Sequence, residues 1–110
     1  MSEEYTGGSV SYYKVYIAQP VSGGDPYTAE CIDIIEALGM DFAEGNAFKA
    51  IWRRCAARKG MRKAGYDNGA YDAEKVEFFG YRMRVITSRM TQESQLNYVQ
   101  ELANAVQGGK

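Results

Sequence analysis

The run from Asp41 to Gly60, DFAEGNAFKAIWRRCAARKG, constrains the fold more than any other part of the chain, because both ends of a helix are written into it. Asp41 is suited to accept a hydrogen bond from the backbone N–H three residues on, and Glu44 stands where its carboxylate can return the bond, as in a capping box. Arg54, Arg58 and Lys59 collect where the helix dipole favours cations, and Gly60 lets the chain leave the helix. At about 100° per residue, Phe48, Ile51, Trp52 and Cys55 form an apolar stripe expected to face the core, while Asn46, Lys49 and Arg53 line the other side. Glu44 projects over the apolar stripe, which puts its carboxylate at the rim of the core. Gly45 costs roughly 1 kcal/mol against Ala in a helix interior, so a helix or a ligand is expected to approach the backbone there.

Charge is segregated along the chain although the net charge is only −1. Asp25, Glu30, Asp33, Glu36, Asp41 and Glu44 follow one another with no base between them; Lys49, Arg53, Arg54, Arg58, Lys59, Arg62 and Lys63 follow with no acid. One reading pairs the acidic flank of a first helix with the basic flank of the second. The other makes the bases a face for phosphate groups, whose oxygens suit ammonium and guanidinium donors. A chain that is not basic overall and shows no nucleic-acid module is not expected to bind extended nucleic acid. Two cysteines, Cys31 and Cys55, on apolar helix faces read as buried free thiols, and two Cys with no histidine make a zinc site improbable. No apolar stretch spans a bilayer or resembles a secretory leader, so an intracellular protein is expected.

Residues 1–8 read as a flexible polar arm. Val10 to Ile17 is rich in β-branched and aromatic residues and predicts a strand; with no second convincing strand, it is expected to pair with an irregular segment or with its copy in another subunit. Asp25-Pro26 predicts a helix start that continues to Leu38, with Cys31, Ile32, Ile35 and Leu38 inward and Gly39 closing it. Glu30, Asp33 and Glu36 on its other flank repel one another and need Arg, Lys or a divalent cation. Gly60 to Gly69 reads as a surface loop carrying Arg62, Lys63 and Tyr66. A third helix is expected over about Tyr71 to Ile86, with Asp72, Lys75 and Arg82 edging its apolar stripe and Gly80 admitting a close neighbour. Thr91 is expected to cap a fourth, carrying Leu96, Val99, Leu102, Ala103 and Val106 on one face. The fold expected is mostly α, about four helices with a short N-terminal β-strand, in one domain over 9–110, assembled as a homo-oligomer.

The run Glu30 to Leu38, then Asp41-Phe42, Glu44-Gly45-Asn46, Lys49 and Arg53, resembles a family of small bacteriophage proteins described as a domain of unknown function and often labelled nucleotide kinase. The likeness extends more faintly to Asp72, Lys75 and Phe78-Phe79; the family's usual acidic dipeptide before Leu is missing, and the loop before the helix is longer. It implies the cytoplasm of an infected cell and a nucleotide or nucleotide-like ligand. Together with the residues themselves it nominates Asn46, Lys49, Arg53, Glu44, Arg62, Tyr66, Asp72, Lys75 and Arg82 as the ligand site.

Without histidine, general acid–base chemistry falls to carboxylates, Lys and Tyr. No Gly-x-x-x-x-Gly-Lys-Ser/Thr loop is present. Three readings stand. An oligomeric nucleotide-binding protein needs a pocket, fixed cations and an aromatic surface such as Tyr13, Tyr66 or Tyr71. A nucleotide kinase or phosphohydrolase would add magnesium on Glu44, Asp33 or Asp72, with Lys49, Arg53 and Arg82 clamping phosphates. A protein-binding host-takeover factor would need no small ligand.

Overall fold

The computed structural model describes residues 11–108, so the arm expected at 1–8 lies outside the described residues. The elements run from a 3-10 turn (Ser11–Tyr13) through β1 (Lys14–Ile17), β2 (Tyr27–Glu30), α1 (Cys31–Leu38) and α2 (Phe42–Arg58) to α3 (Ala70–Gly108). Mostly helical structure with a short N-terminal sheet is as expected. The chain divides into two compact units, one ending at Gly80 and the other starting at Tyr81. Each is described by itself.

The expected strand has a partner in its own chain. β1 pairs antiparallel with β2, Lys14 opposite Glu30 and Ile17 opposite Tyr27, so the strand no longer calls for another subunit. The reason lies at Asp25-Pro26, which leads into β2 instead of starting a helix. Helix α1 begins only at Cys31, with Glu30 in extended backbone and no side-chain cap. Gly39 closes it in the left-handed conformation, φ 66°, as its sequence position suggested.

The capping box of α2 is formed. The Glu44 N–H donates to Asp41 Oδ1 at 2.8 Å, and the Asp41 N–H donates to Glu44 Oε1 at 3.0 Å. Glu44 is exposed, its carboxylate used at the cap and not at the core rim. The buried face of α2 is also not the expected one. Ala43, Gly45, Ala47, Ala50, Ala56 and Ala57 are buried, whereas Ile51 is 48% exposed and Cys55 is exposed. Small side chains let backbones approach closely: a Cβ on Gly45 would lie 3.5 Å from Ile35 Cγ2 of α1, which identifies the neighbour expected at that glycine. On α1, Cys31 is buried, but Ile32 and Leu38 are exposed.

The two C-terminal helices expected are one. Helix α3 runs unbroken from Ala70 to Gly108, because Thr87-Ser88-Arg89-Met90-Thr91 contains neither Gly nor Pro and Ser and Thr are tolerated in a helix interior. The described residues therefore contain three α-helices, not four. Among the described residues a Cβ on Gly80 would meet nothing within 4 Å, so none of them makes the close approach expected there. No described helix is long and apolar enough to cross a membrane.

Candidate functional site

Among the small apolar side chains buried in the first unit lies one carboxylate. Asp72, in the first turn of α3, is 2% exposed and is, with Cys31, the largest fully buried side chain. Its Oδ1 accepts from Arg53 Nε at 3.0 Å and Nη2 at 2.7 Å, and its Oδ2 accepts from the Tyr66 hydroxyl at 2.7 Å. Arg53 Nη1 donates to the Tyr13 hydroxyl at 2.8 Å. One network thus ties the 3-10 turn, α2, the 60–69 loop and α3 together. Burial alone would raise the Asp72 carboxyl, but the Arg53 and Tyr66 hydrogen bonds outweigh it and hold the group below its ordinary 3.8. Burial opposes charge on Arg53 too, and its bonds to Asp72 and Tyr13 overcome that, raising it further. The Tyr66 hydroxyl is pushed up to about 12, first by burial and then by the carboxylate it donates to.

The loop that brings Tyr66 over Asp72 is fixed at both ends. Arg62 Nη1 donates to the Ala57 carbonyl at 2.9 Å, at the open C-terminal end of α2. Asp67 accepts from the Gly69 N–H and the Tyr71 N–H, both at 3.1 Å, covering donors at the start of α3. Arg54 Nη1 donates to the Gly69 carbonyl at 2.8 Å. Gly69 has φ +92°, and a Cβ there would meet Arg54 Nη1 at 2.8 Å and the Tyr66 hydroxyl at 3.3 Å, so this turn requires glycine.

Above the network lies a cleft of about 470 Å³. Tyr12, Tyr13, Tyr66 and Tyr71 supply aromatic walls; Arg53, Arg62, Lys63 and Lys75 supply four cations against the two carboxylates of Asp67 and Asp72. Arg53 is neutralised by Asp72 in the only ion pair among the described residues. Lys75 Nζ sits 5.1 Å from the Tyr71 ring centroid, an attraction that leaves its three donors usable. An excess positive charge beside ring faces is an arrangement that accepts a phosphate and stacks a planar base.

The nominated residues separate on this geometry. Arg53, Arg62, Tyr66, Asp72 and Lys75 line the cleft together. Asn46 instead donates Nδ2 to the Phe42 carbonyl at 2.7 Å, and Lys49 Nζ lies over the Tyr13 ring at 5.5 Å; neither lines the cleft. Glu44 is occupied at its cap. Arg82 lies past Gly80 and belongs to the second unit. The candidate magnesium ligands Glu44, Asp33 and Asp72 do not converge, and among the described residues no three carboxylate, Cys or His groups gather in a way that could hold a metal.

The apolar stripe expected inside instead lines a second groove of about 260 Å³, formed by Val15, Phe48, Ile51, Trp52 and Cys55 with Met61, and edged by Lys14 and Lys59. Trp52 Nε1 donates to the Tyr12 carbonyl at 2.9 Å and so fixes the turn that carries Tyr13 into the cleft. Asp33 and Glu36 of α1 form no ion pair with α2 among the described residues. Tyr12 and Asp67 were missed in the sequence. Asp67 carried a readable signal, since an Asp four residues before a helical Tyr can reach its N–H; Tyr12 carried none. No family model, curated protein or solved structure matches the chain.

Proposed function

We propose that the chain is a phage-encoded, homo-oligomeric nucleotide-binding protein of the infected cell's cytoplasm, holding its ligand in the tyrosine-walled cleft. The observation that carries this reading is the division of labour among the cations. Arg53 is committed to Asp72 and sets the floor, while Lys63 and Lys75 line the cleft without an ion pair among the described residues, and Lys75 stands beside the Tyr71 ring. The resemblance of Glu44-Gly45-Asn46, Lys49 and Arg53 to phage proteins labelled nucleotide kinase supports a nucleotide as the ligand class. Binding without turnover suits sequestration of a nucleotide signal used in host defence. Aromatic stacking on a base contributes roughly 1 to 3 kcal/mol.

Titration of the purified protein with a panel of mono-, di-, tri- and cyclic nucleotides tests the proposal. Micromolar binding weakened about tenfold by each of Lys75→Ala and Lys63→Ala is the result expected from losing one charge-assisted contact, about 1.4 kcal/mol. Equal affinity in both variants contradicts it. Magnesium-dependent turnover would favour the kinase or phosphohydrolase reading. One observation favours the protein-binding reading: the groove of Val15, Phe48, Ile51 and Cys55 is apolar and open. A host protein retained by wild type and lost on Ile51→Asp, with no nucleotide bound, would replace the proposal.

A further inference from the structure

Two tyrosines of the cleft differ in what their hydroxyls have left to give. Arginine has donors and no acceptor, so Arg53 Nη1, at 2.8 Å, fixes the Tyr13 oxygen as the acceptor of that pair. The Tyr13 hydrogen is not used on Arg53, and among the described residues it meets no acceptor. Tyr66 is the reverse case. A carboxylate only accepts, so the Tyr66 hydrogen is spent on Asp72 Oδ2 at 2.7 Å. Both phenols line the cleft, with opposite polarity, and of the two it is Tyr13 that has an O–H to offer a ligand.

The ring of Tyr13 is already engaged. Lys49 Nζ lies 5.5 Å from its centroid, and the Tyr12 ring lies 4.8 Å away, tilted by 48°. Its hydroxyl, more than its ring face, is what this residue brings to the cleft. A cation donating into a hydroxyl oxygen polarises the O–H and strengthens it as a donor, because hydrogen bonds in a chain reinforce one another. Arg53 is itself fixed on Asp72 through Nε and Nη2, which holds Nη1 and the phenol on it in place. A donor backed by a guanidinium, on a cleft that Lys63 and Lys75 also line, suits an acceptor carrying negative charge better than a neutral carbonyl or ring nitrogen.

We infer that the Tyr13 hydroxyl is a directional contact for the phosphate of a ligand in this cleft, so that Tyr13 selects phosphate esters over the same molecules without phosphate. Lys63 and Lys75 carry their charge on flexible stems, whereas Tyr13 supplies one donor whose position is set by Arg53. The inference rests on the cleft assigned above as the ligand site and deepens that reading; the phosphate contact does not depend on which base accompanies it.

Calorimetric titration of wild type, Tyr13→Phe and Tyr16→Phe with nucleoside monophosphates, their parent nucleosides and phenyl phosphate tests it. Tyr13→Phe is expected to weaken the monophosphate about tenfold, the loss of one charge-assisted hydrogen bond, and to leave the nucleoside unchanged. Tyr16, exposed on β1 and not lining the cleft, is expected to matter for neither. Because Tyr13→Phe also takes an acceptor from Arg53, wild type isotopically labelled at tyrosine Cζ is followed by NMR as well. Its Tyr13 signal is expected to move with monophosphate and to stay with nucleoside. A Tyr13 signal indifferent to phosphate, or a variant weakened for monophosphate and nucleoside alike or for neither, overturns the inference and leaves the nucleotide reading standing. Wild type that binds phenyl phosphate through Tyr13 but no nucleotide upholds the inference and ends the nucleotide reading. Wild type that binds none of these probes overturns both.

Discussion

Arg53 and Asp72, nineteen residues apart in sequence, meet through two donors on one oxygen, Arg53 Nε and Nη2 on Asp72 Oδ1. The side chains are 19% and 2% exposed, so water screens the pair poorly. Removing one member strands the other. Asp72→Ala is expected to destabilise the fold by about 3 kcal/mol, in the range for breaking a buried pair, and urea denaturation measures it. Arg53→Met with Asp72→Leu is expected to restore part of the loss; failure to do so would mean the carboxylate matters for more than its charge.

Two glycines should respond in opposite directions to the same substitution. Gly69→Ala places a Cβ against Arg54 and Tyr66 at φ +92° and is expected to cost about 2 kcal/mol. Gly45→Ala places one at ordinary contact distance from Ile35 inside a helix, so it is expected to stabilise by about 0.5 kcal/mol. Thermal unfolding of the two variants checks both signs.

Stability is expected to fall off at both ends of the pH scale through the same network. The Asp72 carboxyl is depressed below 3.8 in the folded protein, so its contribution is complete above that value and is lost as pH falls through the lower folded one. The Tyr66 hydroxyl is raised from 10.0 to about 12, so its contribution is complete below pH 10 and is lost as pH climbs to about 12. Tyr66→Phe should remove the Tyr66 alkaline step from the stability profile and leave a smaller acid step, since Arg53 still holds the Asp72 carboxyl down.

Thiol chemistry separates the two cysteines. Cys55 is exposed and is expected to react at once with an aromatic disulfide reagent. Cys31 is buried, and burial holds its thiol above the ordinary 9.0 despite the opposing charges of Lys49 and Arg53, so its thiolate is scarce. One equivalent is expected to be released quickly and the second only on unfolding.

The caps of α2 were legible because capping is local: Asp41, Glu44 and Gly60 act on backbone within a few residues. Which face of α2 is buried was not. Large apolar side chains usually mark the core, but here Ala43, Ala47, Ala50 and Ala57 admit close neighbours, and Phe48, Ile51 and Cys55 are left at an open groove. The β1–β2 pairing was hidden because Tyr27–Glu30 is a short segment whose extended form is set by its neighbour. Of the site, the loop residues Arg62 and Tyr66 and the helix residues Asp72 and Lys75 could be named, since charge and aromatic character show in sequence. That Arg53 is spent on Asp72, and that Asn46 and Lys49 lie outside the cleft, depends on tertiary geometry.

Native mass spectrometry of the protein purified gently from the cells that produce it, with subunit number and retained small mass read together, tests the central claim most directly. A nucleotide-sized adduct in wild type and Asn46→Ala, lost in Lys75→Ala, is the predicted result. Protein that carries no adduct and gains none from a nucleotide panel, or an adduct lost in Asn46→Ala and kept in Lys75→Ala, would contradict it.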